Sequence, residues 1–456
     1  MKFLYSDEPI IACSTGYQKN ASMAVLRISG FKDLLVFQDF FSANLTNLEP
    51  RRVYYTSLLS AGVKMDDICL TYFKGPSSYN GENILELSVH GNTLNIERIL
   101  NLFTNSGLCR NASPGEFTYR ALKNKKLTLS QVEGLDLLLN ANSTYALDQG
   151  LSFLSGDLQQ VYQELLDLFI KHKAALELSI DFLEDIGEEG AKEQFFTTLK
   201  SFSTKFNSLA KRVQPLAQNL IQPEIAIAGL PNSGKSTLFN LLLGHERAIV
   251  SPIAGTTRDY LTENISISGV VYKLVDTAGV RESSDIIEVE GIRRAQKKIA
   301  ESFYSILLIN PFEVHENLSQ LLKQNFDLTL FTHCDLPGFL EAKSELIRLN
   351  PTLGPMGAVN LHNPSIDFEP ELVNKISLKY DQLVAGKPIL LTRHKDLILQ
   401  GKKALDAYEM RAKHESDVAI LSSELNTLGH CISELIGIVS PELVLNSIFA
   451  NFCIGK

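Results

Sequence analysis

The spacing of apolar positions changes character three times along the chain. Up to about residue 124, short strand-like runs such as Ile68-Cys-Leu-Thr-Tyr-Phe73 and Ile84-Leu-Glu-Leu-Ser-Val89 accompany a helical pattern from Leu94 to Phe103, which predicts a compact α+β domain. From there to about residue 220 the pattern is helical. Leu151, Leu154, Leu158, Val161, Leu165 and Leu168 recur at spacings of three and four, as on one amphipathic helix packed in a bundle. Gln222-Pro223 breaks this pattern. Residues 224 to about 380 then alternate apolar runs (225–228, 271–275, 304–309, 328–331) with helical stretches, as in a doubly wound parallel sheet. After Gly386-Lys-Pro388 the helical period resumes to the end. The predicted organisation is an α+β domain (1–124), the first half of a helical domain (125–220), an inserted α/β domain (221–380) and the second helical half (381–456).

With 456 residues, 45% of them hydrophobic, the chain has material for several buried cores and is neither disordered nor fibrous. Its net charge of −9 gives no support to a broad electrostatic nucleic-acid surface, so any RNA contact is a local patch, for example Lys123-Asn-Lys-Lys126. The six cysteines (13, 69, 109, 334, 431, 453) show neither C-x-x-C nor zinc-ligand spacing, as expected of a cytoplasmic chain in a reducing compartment. Met1-Lys-Phe-Leu-Tyr5 opens like a secretory signal, but Ser6-Asp-Glu-Pro9 cuts the apolar run short, and no segment has the length of a membrane span.

The chemistry begins at Gly229-Leu-Pro-Asn-Ser-Gly-Lys-Ser236, which fits G-x-x-x-x-G-K-[ST] directly after the apolar Ile225-Ala-Ile-Ala228. A strand, a glycine-rich loop and a helix start cradle phosphates. The loop through Asn232, Ser233 and Gly234 turns its N–H groups to the phosphates, Lys235 neutralises β/γ charge, Ser236 is placed for Mg²⁺, and Thr237 continues the helix start. Asp276-Thr277-Ala278-Gly279 follows the apolar run Val271–Val275, where the Asp can reach Mg²⁺ through water and the Gly N–H can face a γ-phosphate, as in GTPases. Between them, Gly255-Thr-Thr-Arg-Asp259 offers Thr257 as a Mg²⁺ ligand.

Base choice is assigned to Thr332-His-Cys-Asp335, where small GTPases carry N-K-x-D, with Gly357-Ala358 as the second base loop. Asp335 can accept from guanine N1–H and the exocyclic amine, whereas Thr332 and His333 depart from the usual Asn and Lys. Val280 stands where Ras-like enzymes carry the water-positioning Gln, so another group must serve; Glu282, Glu288 and Glu290 are in the segment that follows.

Together these motifs resemble the MnmE (TrmE) family of tRNA-modification GTPases, over nearly the whole chain. The resemblance is carried by Leu26-Arg-Ile-Ser-Gly30, Gly81-Glu-Asn-Ile-Leu-Glu86, Pro114-Gly-Glu-Phe117, Ile253-Ala-Gly-Thr-Thr-Arg-Asp259, Asp276-Thr-Ala-Gly279 and the terminal Phe452-Cys-Ile-Gly-Lys456. It implies a Ras-like G domain that dimerises across the nucleotide and is activated by K⁺, with Asn232, Ser251, Ile253 and Thr256 as K⁺ ligands, Ser236 and Thr257 on Mg²⁺, and Glu288 as the catalytic glutamate. It also implies an N-terminal folate-binding-like dimerisation domain that holds a 5-formyl- or methylene-tetrahydrofolate through Arg27, Glu86, Lys126 and Lys456. A pterin's N–H/NH₂ edge suits Glu86, and a glutamate tail suits Arg27 and Lys126.

The implied function is GTP hydrolysis coupled to building an aminomethyl or carboxymethylaminomethyl group at C5 of the wobble uridine of certain tRNAs. A homodimer would work with the FAD-dependent MnmG (GidA) in a heterotetramer or larger complex. The alternatives are a regulatory GTPase switch of the ribosome-assembly type and a weakly active nucleotide-binding scaffold. Departures from the family pattern are at Gly16-Tyr-Gln-Lys-Asn-Ala-Ser22 and in the guanine loop.

Overall fold

The computed structural model describes residues 7–16, 20–181, 188–214, 219–245, 261–276, 296–313, 318–322, 324–350, 357–366, 368–413 and 418–437. The chain forms two compact units: Met1–Asp136 with Phe153–Gln160 and Ser433–Lys456, and Leu137–Ser152 with Val161–Ile432.

The first unit contains β1 (Ile10–Cys13), β2 (Met23–Ser29), β3 (Val53–Ser60), β4 (Val63–Phe73), β5 (Ile84–His90), α1 (Thr93–Asn105), β6 (Arg110–Asn111) and α2 (Glu116–Lys123). The strands form one sheet in the order β3-β4-β5-β2-β1-β6, antiparallel except for the β1–β6 pair. A two-residue turn at Ala61-Gly62, both at positive φ, closes the β3–β4 hairpin in the way that matches strand twist. Leu26, Ile28, Leu70, Leu85 and Leu87 line one sheet face and pack in a core with Ile96, Ile99 and Phe103 of α1. On the other face Ile10 and Ala12 meet Phe117 of α2. The α1 helix starts where expected because Asn92 caps it, its side chain accepting from the N–H groups of Leu94 and Asn95.

Helices α3 (Leu129–Leu139), α4 (Thr144–Ser155), α5 (Asp157–Asp181) and α6 (Glu188–Ala210) follow. The single amphipathic helix expected through Leu151–Leu168 is two, because Gly156 adopts φ 89° between α4 and α5. In α5 the buried stripe reads Leu158, Tyr162, Leu165, Phe169 and His172, so the expected Leu158 and Leu165 are buried whereas Leu151 is exposed.

In the second unit β7 (Glu224–Gly229), α7 (Lys235–His245), β8 (Leu261–Ile267), β9 (Val270–Asp276), β10 (Tyr304–Ile309), β11 (Leu328–Phe331), α8 (Phe339–Leu349) and β12 (Gly357–Ala358) build the α/β region. Its sheet order is β12-β11-β10-β7-β9-β8. All pairs are parallel except β8–β9, an edge hairpin turned by Ser268-Gly269 at positive φ, so the sheet is mixed where a parallel one was expected. β7 is buried on both faces, Ile225 and Ile227 toward one core and Ala226 and Ala228 toward the other. Helices α9 (Phe368–Ala385), α10 (Thr392–Ala412) and α11 (Val418–Ile436) follow, the last four residues of α11 falling in the first unit.

The helical part contains a buried polar relay. His172 Nδ1 lies 3.0 Å from Thr198 Oγ1, Nε2 lies 2.8 Å from Tyr408 Oη, and the imidazole is fully buried. Thr198 donates its hydroxyl to helix carbonyls, so it accepts from Nδ1–H, and Tyr408 donates to Nε2; the ring is neutral. Burial pushes its pKa down from 6.5 to about 4. The unfolded chain therefore binds a proton that the folded one refuses, and stability present above pH 6.5 is lost as pH falls toward 4. Urea midpoints followed by far-UV circular dichroism should show a loss of about 2 kcal/mol by about pH 5. His172→Gln should flatten this pH dependence.

Candidate active site

The phosphate loop leaves the carboxyl end of β7, the central strand, where β9 and β10 flank it; ligands of such sheets bind outside this edge. Two glycines are required by the geometry. A methyl at Gly229 would lie 2.3 Å from Ser233 Oγ and 2.5 Å from the Leu308 carbonyl oxygen. At Gly234, where φ is 90°, it would lie 2.7 Å from Leu361 Cδ1. Asn232 is also held at positive φ, 56°, and is exposed at the loop's rim.

Lys235 opens α7 and is 7% exposed, its Nζ donating to the Leu230 carbonyl at 2.6 Å. Burial lowers the ammonium's pKa, while the nearby Asp276 carboxylate opposes that shift. Asp276 ends β9 in register with Ile227 of β7 and is itself buried. Ser233 is fully buried and its Oγ has no hydrogen-bond partner, a polar group left for a ligand inside the loop. Ser236 is exposed and Thr237 half-buried in the first turn of α7. A buried carboxylate, a buried ammonium and an orphaned hydroxyl around a helix start fit a Mg²⁺-bound polyphosphate. Among the described residues no group of three or more His, Cys, Asp or Glu gathers.

The base loop lies beside the phosphate loop. Thr332, 1% exposed, hydrogen-bonds through its N–H and its hydroxyl to the Ile309 carbonyl, and its hydroxyl also lies 2.9 Å from His333 Nδ1. Its methyl faces Gly234, 3.7 Å from where a Cβ would stand. Leu361 Cδ1 stands on the same side of Gly234, so apolar carbon lines the space beside this glycine where the base loop approaches. His333 takes φ 58°, and Asp335 is exposed two residues on. Ala358 of β12 pairs in register with Phe331, which brings the second base loop alongside the first.

In the first unit, the β2–β5 register sets Arg27 opposite Glu86. Arg27 Nε and Nη2 both donate to Glu86 Oε1, at 2.8 and 2.6 Å. The Tyr79 and Phe117 rings lie 5.6 and 5.7 Å from the guanidinium carbon, a cation–π setting on two sides. Arg27 and Glu86, assigned from sequence to opposite ends of a folate, are thus one ion pair. Lys126 is exposed with its stem against Gly81, in the loop that carries Tyr79. Behind this loop Arg120 donates to Glu82, Glu116 and the Glu8 carbonyl. The Lys123–Lys126 patch is partly neutralised, because Lys123 pairs with Asp7 at 2.7 Å. Ser251, Ile253, Thr256, Thr257, Thr277, Ala278, Gly279, Glu288 and Lys456 lie outside the described residues.

Several contributors escape sequence inspection. Glu313, four residues beyond β10, accepts from Asn232 Nδ2 at 3.3 Å. Leu361 fills the space beside Gly234, and Tyr79 with Phe117 frames Arg27. Only the rule that ligands gather at carboxyl strand ends points to Glu313 in advance.

A family model described as GTP-binding protein TrmE N-terminus matches residues 9–126, and one described as 50S ribosome-binding GTPase matches residues 224–333. Over 98% of its length the chain is 33% identical to a tRNA modification GTPase MnmE of Aquifex aeolicus (strain VF5), all of which is covered. It is 31% identical to the protein of the same name from Coxiella burnetii (strain Dugway 5J108-111), with 98% of each chain covered. It is 29% identical to that of Streptococcus mutans serotype c, over 98% of this chain and 99% of the relative. Among the described residues no helix is long and apolar enough to cross a membrane.

Proposed function

This chain belongs to the MnmE family of tRNA-modification GTPases and is a GTP hydrolase of tRNA modification, and from that premise we propose a K⁺-activated, folate-dependent mechanism for it. The observation that carries the GTP-hydrolase part of the reading is buried Lys235 beside buried Asp276 at the carboxyl edge of the sheet, in a chain that matches its relatives over 98% of its length.

GTP would lie with its phosphates on the N–H groups of the loop through Asn232, Ser233 and Gly234, its β/γ charge met by Lys235, and its base read by Asp335 with Thr332 and Ala358 alongside. Ser236 and Thr257 would hold Mg²⁺, with Asp276 reaching it through water; Asn232, Ser251, Ile253 and Thr256 would hold K⁺. Mg²⁺ and K⁺, when bound, supply positive charge to the phosphoryl oxygens as the transition state develops. Thr277, Ala278 and Gly279 would face the γ-phosphate, and Glu288 would orient the attacking water.

In the N-terminal domain Arg27, Glu86, Lys126 and Lys456 would hold a tetrahydrofolate, which supplies a one-carbon unit when bound. The Arg27–Glu86 pair fits such a ligand, since Oε1 serves the guanidinium and the carboxylate has a second oxygen for a pterin N–H. The assembly we propose is a cytoplasmic homodimer joined by the FAD-dependent MnmG, acting on the wobble uridine of tRNA. A ribosome-assembly switch would account for the match at residues 224–333 but not for the match at 9–126.

The test is GTP turnover by the purified chain in KCl and in NaCl at equal ionic strength. Turnover in KCl should exceed that in NaCl by about tenfold or more, equivalent to about 1.4 kcal/mol of transition-state stabilisation. Equal, negligible rates in both salts would overturn the K⁺ mechanism for the chain alone.

A further inference from the structure

We infer that Glu313 is a positioning residue for Asn232, fixing which end of the Asn232 amide faces the phosphate-loop cation. The inference rests on the K⁺ reading above. A carboxylate can only accept, so the contact at 3.3 Å uses an Asn232 Nδ2 amide N–H, and Oδ1 points from the other end of the amide. An amide oxygen presented in one orientation is the kind of ligand that a hard cation takes. Asn232 sits at φ 56°, between glycines whose Cβ positions are already occupied by neighbours. The anchoring carboxylate also adds negative potential behind the ligand, which favours a cation in front of it.

The arrangement explains a residue that otherwise has the wrong charge for its place. A carboxylate beside a phosphate loop repels a polyphosphate unless a cation stands between them. Glu313 comes from the loop after β10, a different element from the phosphate loop, so Asn232 is braced from outside its own turn. Outer-shell partners of this kind usually change metal affinity by about 10- to 100-fold when removed.

The experiment uses the full chain with Glu313→Ala and Glu313→Gln. Thallous ion, a K⁺ surrogate, is titrated with GDP and Mg²⁺ bound and followed by ²⁰⁵Tl resonance; in parallel the half-saturating K⁺ for GTP turnover is measured. Glu313→Ala should raise both half-saturation points about tenfold while turnover at saturating K⁺ stays near the wild-type value. Glu313→Gln keeps the acceptor but loses the charge, and should fall between the two. GDP affinity in NaCl and the melting temperature should not move.

Unchanged half-saturation in Glu313→Ala, with a normal response in the wild type, would overturn the role of Glu313 and leave the K⁺ mechanism standing. A parallel loss of GDP affinity in NaCl would overturn it too, by making Glu313 a support of the loop itself. A wild type that neither binds thallous ion nor responds to K⁺ would overturn this inference together with the K⁺ reading.

Discussion

Replacing Lys235 with Ala should reduce single-turnover GTP hydrolysis by about 10²- to 10³-fold, the usual loss when one charge-stabilising donor is taken from developing negative charge. Its position explains the size of the effect. The ammonium is 7% exposed, so it meets phosphate oxygens in a setting where little water screens the attraction. Its bond to the Leu230 carbonyl occupies one of three donors and leaves two for a ligand. Stability should run the other way: burial already disfavours the charged form, so Lys235→Ala should melt no lower than the wild type. Rapid-quench hydrolysis and a thermal melt read the two effects separately. Hydrolysis within a few-fold of wild type would remove Lys235 from the phosphate site.

The largest stability loss is expected from Arg120→Ala in the N-terminal unit. Arg120 is 3% exposed and joins Glu82, Glu116 and the Glu8 carbonyl, while Glu116 is completely buried. Burial alone would push the Glu116 carboxyl up, but hydrogen bonds from Arg110, the Ser113 N–H and Arg120 hold it below its ordinary value. Removing Arg120 takes its bonds from Glu82, Glu116 and the Glu8 carbonyl while Arg110 still pairs with Glu116, so the cost should be about 3 kcal/mol, the lower end for breaking a buried ion pair. Urea unfolding of the full chain should show an early transition in this variant. Arg120→Met should recover part of the loss, because the longer apolar side chain refills the buried space that alanine leaves empty. An Arg120→Ala midpoint equal to wild type would mean that solvent reaches the network freely.

The apolar runs that became β7, β9, β10 and β11 are long and bounded, so their positions and the motif at each carboxyl end were legible. β8 was not: Leu-Thr-Glu-Asn-Ile-Ser-Ile267 mixes polar residues into an edge strand and shows itself only as the partner of β9. Gly156 sits inside a good three-four spacing and reads as tolerated until its backbone angle is known. The Arg27–Glu86 pair depends on register between strands separated by two others in sequence, and periodicity within one strand cannot reveal it. Glu313 was hidden for a related reason, since a contact between loops that leave neighbouring parallel strands leaves no trace in local spacing.

Leu361 and the Thr332 methyl stand on one side of Gly234 and set how the base loop meets the phosphate loop. A hydrogen bond between base loop and phosphate loop would hold them at one separation and one angle; methyl groups hold a separation and leave the angle soft. Each such carbon pair contributes only about 0.1–0.2 kcal/mol, so the loops can part by small steps with no buried polar group stranded on the way.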